Sequence, residues 1–591
     1  MLYQVILHIL SGKYPDYPLI HYHMQCQMPT PQLLKGSFFI ALFLIISITG
    51  KTQTTFLPQD AKENILFERL EIKSQTDSVL NFSKLKPRNR KQLIAGMMAF
   101  EQNHPDIPLS KTDKYNLAST FANNIEYLPD DLRNTLRSKK KLGRFYQTPA
   151  NLFETHVKDF DLIINPVIQF KLSNEKDNNE SLFLNTRGIT ARGRIANKIG
   201  FAAYLTDNQE RDPMYVQRWE DKFKSVPGGG YYKNFKGTGF DYFDARGYFT
   251  FNITRYIDVA FGYDRNFIGN GHRSLFLSDF SQNTLFLMLN TRIWKLNYQN
   301  LFMELQQTEP RGPDRLLRKK YAAFHHLDMN VTKWLNVGLF EGVVFGRSNR
   351  FEFGYLVPVI FYRSIEQQGG SVDNSVAGID FKANALKHFQ FYGQFLLDEF
   401  NLQQIRRGDG WWANKWGLQI GARYIDAFTI KNLDLQVEMN SVRPFTYSHR
   451  DSVANYTHYN QPLAHPLGAN FNEWIGIARY QPAPKWMIFG KLMGWKQGLD
   501  TGAQSFGSNI FLPNVPPFRI GDYGYKIGSG TKANTTYASL LISYELRENL
   551  FIEVSGIYRN FDLPSVSSMS EKTTIISAGI RWNVHRREFE F

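Results

Sequence analysis

Three stretches concentrate the residue types that do chemistry. Phe261–Phe280 reads FGYDRNFIGNGHRSLFLSDF, Gly408–Gly417 reads GDGWWANKWG, and Val442–Asn472 reads VRPFTYSHRDSVANYTHYNQPLAHPLGANFN. The last holds His449, His458 and His465 with Ser448 and Asp451 close by. Their spacing matches no zinc motif, so a metal centre is not expected. Ser448, His449 and Asp451 name a hydrolytic triad on paper. Near neighbours on one loop do not converge on one reacting atom, however, and no nucleophile elbow is present. Gly269-Asn270-Gly271 opens no helix, which argues against a phosphate loop. Recognition is the chemistry that remains. Aromatic rings stack on sugar faces, and Arg or Asn side chains pair with hydroxyls and carboxylates. The candidate glycan contacts are Arg273, Trp411, Trp412, Arg443, Tyr447, His449, Arg450, Tyr456, His458 and His465. The competing reading gives the same residues the duty of packing long loops or filling a lumen. No catalytic residue, metal or cofactor is expected, and the chain does not read as an enzyme.

Residues of this kind must be carried by a scaffold, and from about residue 158 the hydrophobic period is 2. Leu435, Val437 and Met439 alternate with Asp434, Gln436, Glu438 and Asn440, and Ile576, Ala578, Ile580 and Trp582 alternate with Ser577, Gly579 and Arg581. Such dyads, sustained over about ten residues, suit a strand that crosses a membrane. They segment into about eighteen strands between residues 160 and 584. Short links such as 254–256, 294–297 and 482–484 alternate with long ones such as 207–239, 346–374 and 442–470. That is the turn-and-loop asymmetry of a closed outer-membrane β-barrel. Tyr256, Trp294, Trp334, Phe389 and Trp486 fall at the short links, as an interfacial aromatic girdle would. Phe351–Tyr362 is apolar enough to be a further strand or a segment folded into the lumen.

Composition agrees with a barrel. The 591 residues include 48 Phe, 30 Tyr and 10 Trp, yet only 43% are hydrophobic and no apolar run is long enough for a membrane helix. A formal charge of +15 is compatible with acidic lipids or polyanionic glycans, and nothing else in the chain suggests nucleic acid. Arg311, Arg315, Arg318, Lys319 and Lys320 concentrate positive charge in one long loop. The only cysteine, Cys26, excludes a disulfide framework. Lys35–Lys51 (KGSFFIALFLIISITGK) has the basic start and short apolar core of a secretory signal, with Met28 an alternative start. The expected organisation is an N-terminal extension and cleaved signal over 1–52, a small helical periplasmic domain over 53–157, and an all-β transmembrane barrel with long extracellular loops over 158–591. Glu63–Leu70, Arg90–Phe100 and Asp130–Leu142 carry the helical spacing, interrupted by Pro87, Pro105, Pro108 and Pro129.

GNGHRSLFLSDF, FHHLDMNVTKWLNVGLFEGVVF, YLVPVIFYRSIEQQGGSVDN and GWWANKWGLQIGARY, with the stretch from Val442, resemble the Bacteroidetes branch of the Wzi-type capsule-assembly outer-membrane family, with the RemB-type gliding-motility proteins as its nearest group. The resemblance implies an eighteen-stranded barrel with a helical part on the periplasmic side. It also implies a non-enzymatic role with surface polysaccharide or lipopolysaccharide, in capsule attachment or in gliding and adhesion. Outer-membrane lipid and a periplasmic or surface protein are the further partners expected. A passive, porin-like channel is the alternative. Phe591 resembles the terminal aromatic of such barrels, but Phe589 and Phe591 are out of phase with Ile580 and Trp582, so an overhang must intervene.

Overall fold

In the computed structural model, residues 54–77, 79–138, 142–307, 316–370 and 373–591 are described. The expected signal segment and extension, and Arg311 and Arg315, lie outside these residues. Eighteen antiparallel strands close into a barrel. The first six are β1 Phe160–Glu175, β2 Leu182–Ile195, β3 Ile199–Arg211, β4 Gly239–Thr254, β5 Ile257–Asp264 and β6 Thr284–Ile293. Then come β7 Leu296–Gln306, β8 Lys319–Asn330, β9 Leu335–Phe345, β10 Asn374–Ala385, β11 Phe389–Glu399 and β12 Lys415–Tyr424. The last are β13 Leu433–Val442, β14 Phe471–Ala483, β15 Trp486–Leu499, β16 Thr531–Arg547, β17 Leu550–Asp562 and β18 Glu571–Trp582. Each pairs with its sequence neighbours, and β18 closes on β1 from Ile575↔Glu175 to Trp582↔Ile168. Short turns and long loops alternate around the rim, as the dyads predict.

The wall is apolar outside and polar inside. On β13, Val437 and Met439 are about half exposed, whereas Asp434, Gln436, Glu438 and Asn440 are buried. A soluble sheet would bury the first set, so the alternation is that of a strand solvated by lipid. Trp294, Trp334 and Trp486 are exposed at the short-turn end. Among the described residues no helix is long and apolar enough to cross a membrane. The chain is an outer-membrane β-barrel.

Three helices stand at the short-turn mouth: α1 Glu63–Ser74, α2 Arg90–Asn103 and α3 Lys111–Asn123. Asn89 caps α2, and Ser110 with Asp113 forms a capping box on α3. They share a small core of Leu66, Phe67, Leu70, Ile94, Met97 and Phe100. Among the described residues of Asp130–Leu142, where helical spacing is expected, the structure has one short helix, Asp130–Thr135. Charge fixes the helices to the barrel. Arg69 bonds Asp434 and lies 2.8 Å from Asp426, Lys62 reaches Glu545 and Glu548, and Glu71 bonds Lys382. The following strand enters the lumen, where Leu85–Lys86 pairs with Phe267–Ile268 from the 265–283 loop. Residues 583–591 leave β18 and run back up the lumen. Arg587 pairs with Glu210, Glu590 with Lys491, and Phe591 packs on Tyr215, Trp219 and Phe280. This is the overhang that the phase break at Phe589 and Phe591 requires.

Two expectations are corrected here. Phe351–Tyr362 is neither a strand nor a lumenal insert: it lies against the outer wall, with a 3-10 turn at Phe353–Leu356 leading to helix α4, Tyr362–Gln368. The basic loop is also not one cationic surface. Lys320 is an inward residue of β8, fully buried, with its ammonium donating to Asn455 and Thr457. Lys319 is paired with Glu304, and Arg318 is exposed.

Candidate functional site

The long loops 400–414, 443–470 and 500–530 meet at one sector of the loop rim. Two glycines explain the sequence GDGWWANKWG. Gly408 ends a short helix in the left-handed conformation, and Gly410 adopts φ +75° beside Tyr525. A Cβ on Gly410 would stand 2.8 Å from the Tyr525 carbonyl oxygen, so only glycine allows the approach. Three backbone bonds then join the loops: Trp412 N to Asp522 O, Gly524 N to Asp409 O, and Tyr525 N to Gly410 O.

This joint holds Trp411 and Trp412 partly exposed, with ring centroids 6.2 Å apart. The Arg519 guanidinium covers one face of Trp412 at 4.2 Å, and Phe445 meets it edge-on at 5.9 Å. Arg443 is partly exposed and donates to the carbonyls of Trp411 and Tyr525, at 3.3 and 3.2 Å. Burial lowers its pKa, and among the described residues no carboxylate is found among its partners. Tyr523, about half exposed, and the exposed Arg450 belong to the same loops. The sector therefore offers indole rings beside a cation that donates to the carbonyl dipoles of Trp411 and Tyr525. Such a surface suits a sugar ring bearing a carboxylate or phosphate.

The other candidates lie elsewhere. Tyr447 and Tyr456 are fully buried, and their hydroxyls donate to the Leu275 and Phe276 carbonyls at 2.6 and 2.7 Å. Burial pushes both phenols well above their usual pKa. His458 is clamped as the neutral Nε2–H tautomer: Nδ1 accepts from Gln306 N at 3.0 Å, and Nε2 donates to Asn283 O at 3.0 Å. Burial moves its pKa down to about 4. His465 is buried against Glu473 at 2.7 Å, and burial lowers its pKa. His449 is buried with Nδ1 accepting from Asp451 N, and burial together with Lys415 lowers it too. Arg273 lies inside the barrel, 3.5 Å from Glu473 and 3.6 Å from Glu590. Tyr447, Tyr456 and His458 tie the 443–470 loop to the 265–283 loop beneath it, whereas His449 is held within its own loop and His465 and Arg273 both face Glu473 on β14; the structure does not gather these six with Trp411, Trp412 and Arg443 at the loop surface. The Ser448 hydroxyl donates to Phe445 O rather than engaging His449. Sequence reading missed Arg519, Tyr523 and Tyr525, which lie about a hundred residues from the tryptophans. The glycine-rich run from Gly521 was their only signal.

Below the rim the lumen is largely filled, leaving a cavity of about 670 Å³ between the helices, the 583–591 tail and the wall. Fourteen Lys and Arg side chains line it against nine Asp and Glu. Many are spent on one another, as Arg246 is on Asp244 and Glu68 on Arg479.

No protein-family model matches the chain, and no curated protein matches it by sequence. Solved structures do match. Wzi, an outer-membrane protein involved in group 1 capsule assembly in Escherichia coli and described as a carbohydrate-binding β-barrel, superposes with a TM-score of 0.55 at 13% identity, over 90% of this chain and all of that one. OprD of Pseudomonas aeruginosa aligns over 72% of this chain and 96% of its own with a TM-score of 0.40 and 10% identity. OccAB2 of Acinetobacter baumannii gives 0.39 and 9%, over 71% of this chain and 98% of its own. The Wzi likeness is one of fold.

Proposed function

We propose that this barrel binds or organises surface polysaccharide at its loop rim, supporting capsule assembly and attachment or gliding motility and adhesion. The observation that carries the reading is the joint of three loops that holds Trp411 and Trp412 beside Arg443, a cation that among the described residues has no carboxylate partner. The carbohydrate binding described for Wzi supports it. An acidic glycan is the preferred partner, since a neutral one would leave the charge on Arg443 unused. Lipopolysaccharide offers similar chemistry through its phosphates. No step of bond making is assigned to the site. The helices at the short-turn mouth would face the periplasm and any partner there.

The test is Trp411→Ala combined with Arg443→Gln. Each contact is worth on the order of 1 kcal/mol, so retention of cell-attached polysaccharide falls roughly tenfold or more. An unchanged heat-resistant folded band shows that the barrel is intact. Normal retention with a normal band refutes the site. Chain deletion, read in parallel as colony spreading and as attached polysaccharide, separates gliding from capsule.

A further inference from the structure

The outer wall over β7–β9 carries a strap found nowhere else among the described residues. Successive residues of these strands face opposite ways. Leu301, Met303, Ala322, Phe324 and Val344 belong to the lumenal core, so Phe302, Tyr321, Ala323, Val343 and Phe345 face outward, and the strap covers them with Tyr355 and Tyr362. Glu341 and Tyr298 share this outward face by the same alternation. The Glu341 carboxylate accepts from Tyr362 N at 2.9 Å and Arg363 N at 3.2 Å, and the Tyr298 hydroxyl donates to Pro358 O. The His325 ring lies 4.0 Å from that of Tyr362.

Depth gives these contacts their meaning. Glu341 is four residues below the loop end of β9. At the usual rise and tilt that is about 10 Å beneath the rim, inside an apolar band about 25 Å tall. A lipid-facing carboxylate there is costly, and so is irregular backbone with unmet N–H and C=O groups. Each meets the other's need: the wall supplies the hydrogen bonds that the strap's backbone would lose in lipid. The strap's far side is a ridge of Phe353, Val359 and Phe361, each at least 78% exposed, flanked by Val357 and Ile360. In water such a ridge is a liability; against acyl chains it is not. At the top, Lys319 N bonds the Asn349 side chain, which pins the start of the strap to the loop end of β8. The neighbours of that pair, Arg318 and Arg350, are exposed beside the loop end of β8, above the apolar band.

We propose that the strap and the arginines above it form a seat for an anionic, multiply acylated lipid of the outer leaflet. Acyl chains lie along Phe353, Val359 and Phe361, and a phosphate meets Arg350 and Arg318. The chemistry commits the occupant: an apolar ridge in the membrane band directly below exposed cations fits a lipid carrying both groups. The seat shares no residue with the joint of loops 400–414, 443–470 and 500–530.

The test uses full-length protein in vesicles, with Cys26→Ser and Phe361→Cys carrying a bimane label. Quenching by phosphatidylcholine brominated on its acyl chains, with little quenching by aqueous iodide, is expected. Iodide quenching as strong as at a Tyr523→Cys control would place the strap in water and overturn the proposal. Val359→Cys replaces Phe361→Cys if the latter weakens the folded band. Titration of bisphosphorylated lipid A into phosphatidylcholine vesicles should then shift the label's emission, with affinity about tenfold lower in Arg318→Gln/Arg350→Gln. Equal response in that variant, or a label signal that depends on protein density rather than on lipid A, would show no anionic lipid seat, the second pointing to another copy of the chain on the ridge.

Discussion

His458 makes the loop lid over the lumen sensitive to acid. It is buried with Nδ1 accepting a backbone N–H, so the folded lid holds the neutral ring and its pKa lies at about 4. The ring is free to protonate near 6.5 once the loop opens. A depressed folded pKa contributes stability that is complete above the unfolded value and is lost as pH falls through the folded one. Going from pH 7 to pH 5 should therefore cost the closed lid about 2 kcal/mol, or about 20-fold in the open population. The nearby Lys320 ammonium pushes the same way, and His449 and His465 are shifted in the same direction. Hydrogen–deuterium exchange of the peptide spanning 443–470, corrected for intrinsic rates, reads the opening directly. His458→Gln keeps a donor and an acceptor but does not titrate, so it should remove most of the pH dependence assigned to this residue. Exchange that is flat between pH 7 and pH 5, or a slope unaltered in His458→Gln, would refute the reasoning.

Three further outcomes follow from the same contacts. Arg69→Ala leaves the buried Asp434 and Asp113, with the partly buried Asp426, around a lost cation, costing roughly 3–5 kcal/mol; trypsin should then cut within 54–110 while the barrel keeps its folded band. Gly410→Ala brings a Cβ against Tyr525 in a left-handed conformation, so the joint between loops 400–414 and 500–530 should open, raising exchange at Trp412 and Tyr525 and lowering polysaccharide retention. With helices across the short-turn mouth and the tail and loop 265–283 in the lumen, the full chain in planar bilayers should show no steady porin-like conductance, and a constant open level would show that these elements leave a path.

The strands were legible because lipid inverts the usual pattern: Val437 and Met439 outside, Gln436 and Glu438 inside, at period 2 throughout. The eighteen strands appear, from Phe160 to Trp582. The rim was legible in part. Trp411, Trp412 and Arg443 are brought together as their neighbouring loops suggest, but Tyr447, Tyr456 and His458 are not at the surface. A tyrosine that stacks on sugar and one that donates to a buried carbonyl are the same residue in a sequence, and only the partner loop distinguishes them. The strap at Phe351–Tyr362 has no period to read. Its place is decided by Glu341 and Tyr298, which look like ordinary strand residues until something lies over them.

The charge on α1 also sets an order of events. Its partners lie far along the chain: Lys62 bonds Glu545 across 483 residues, and Arg69 bonds Asp434 across 365. Synthesis makes the helix long before the strands that receive it, and contacts of such separation form late. A helix built to dock by an apolar face would spend that interval exposing it, at risk of aggregation. One that docks by Lys62, Glu68, Arg69 and Glu71 can wait in water. The ion pairs that make the plug expensive to bury thus give it patience, so that the barrel can close first and the mouth be sealed afterwards.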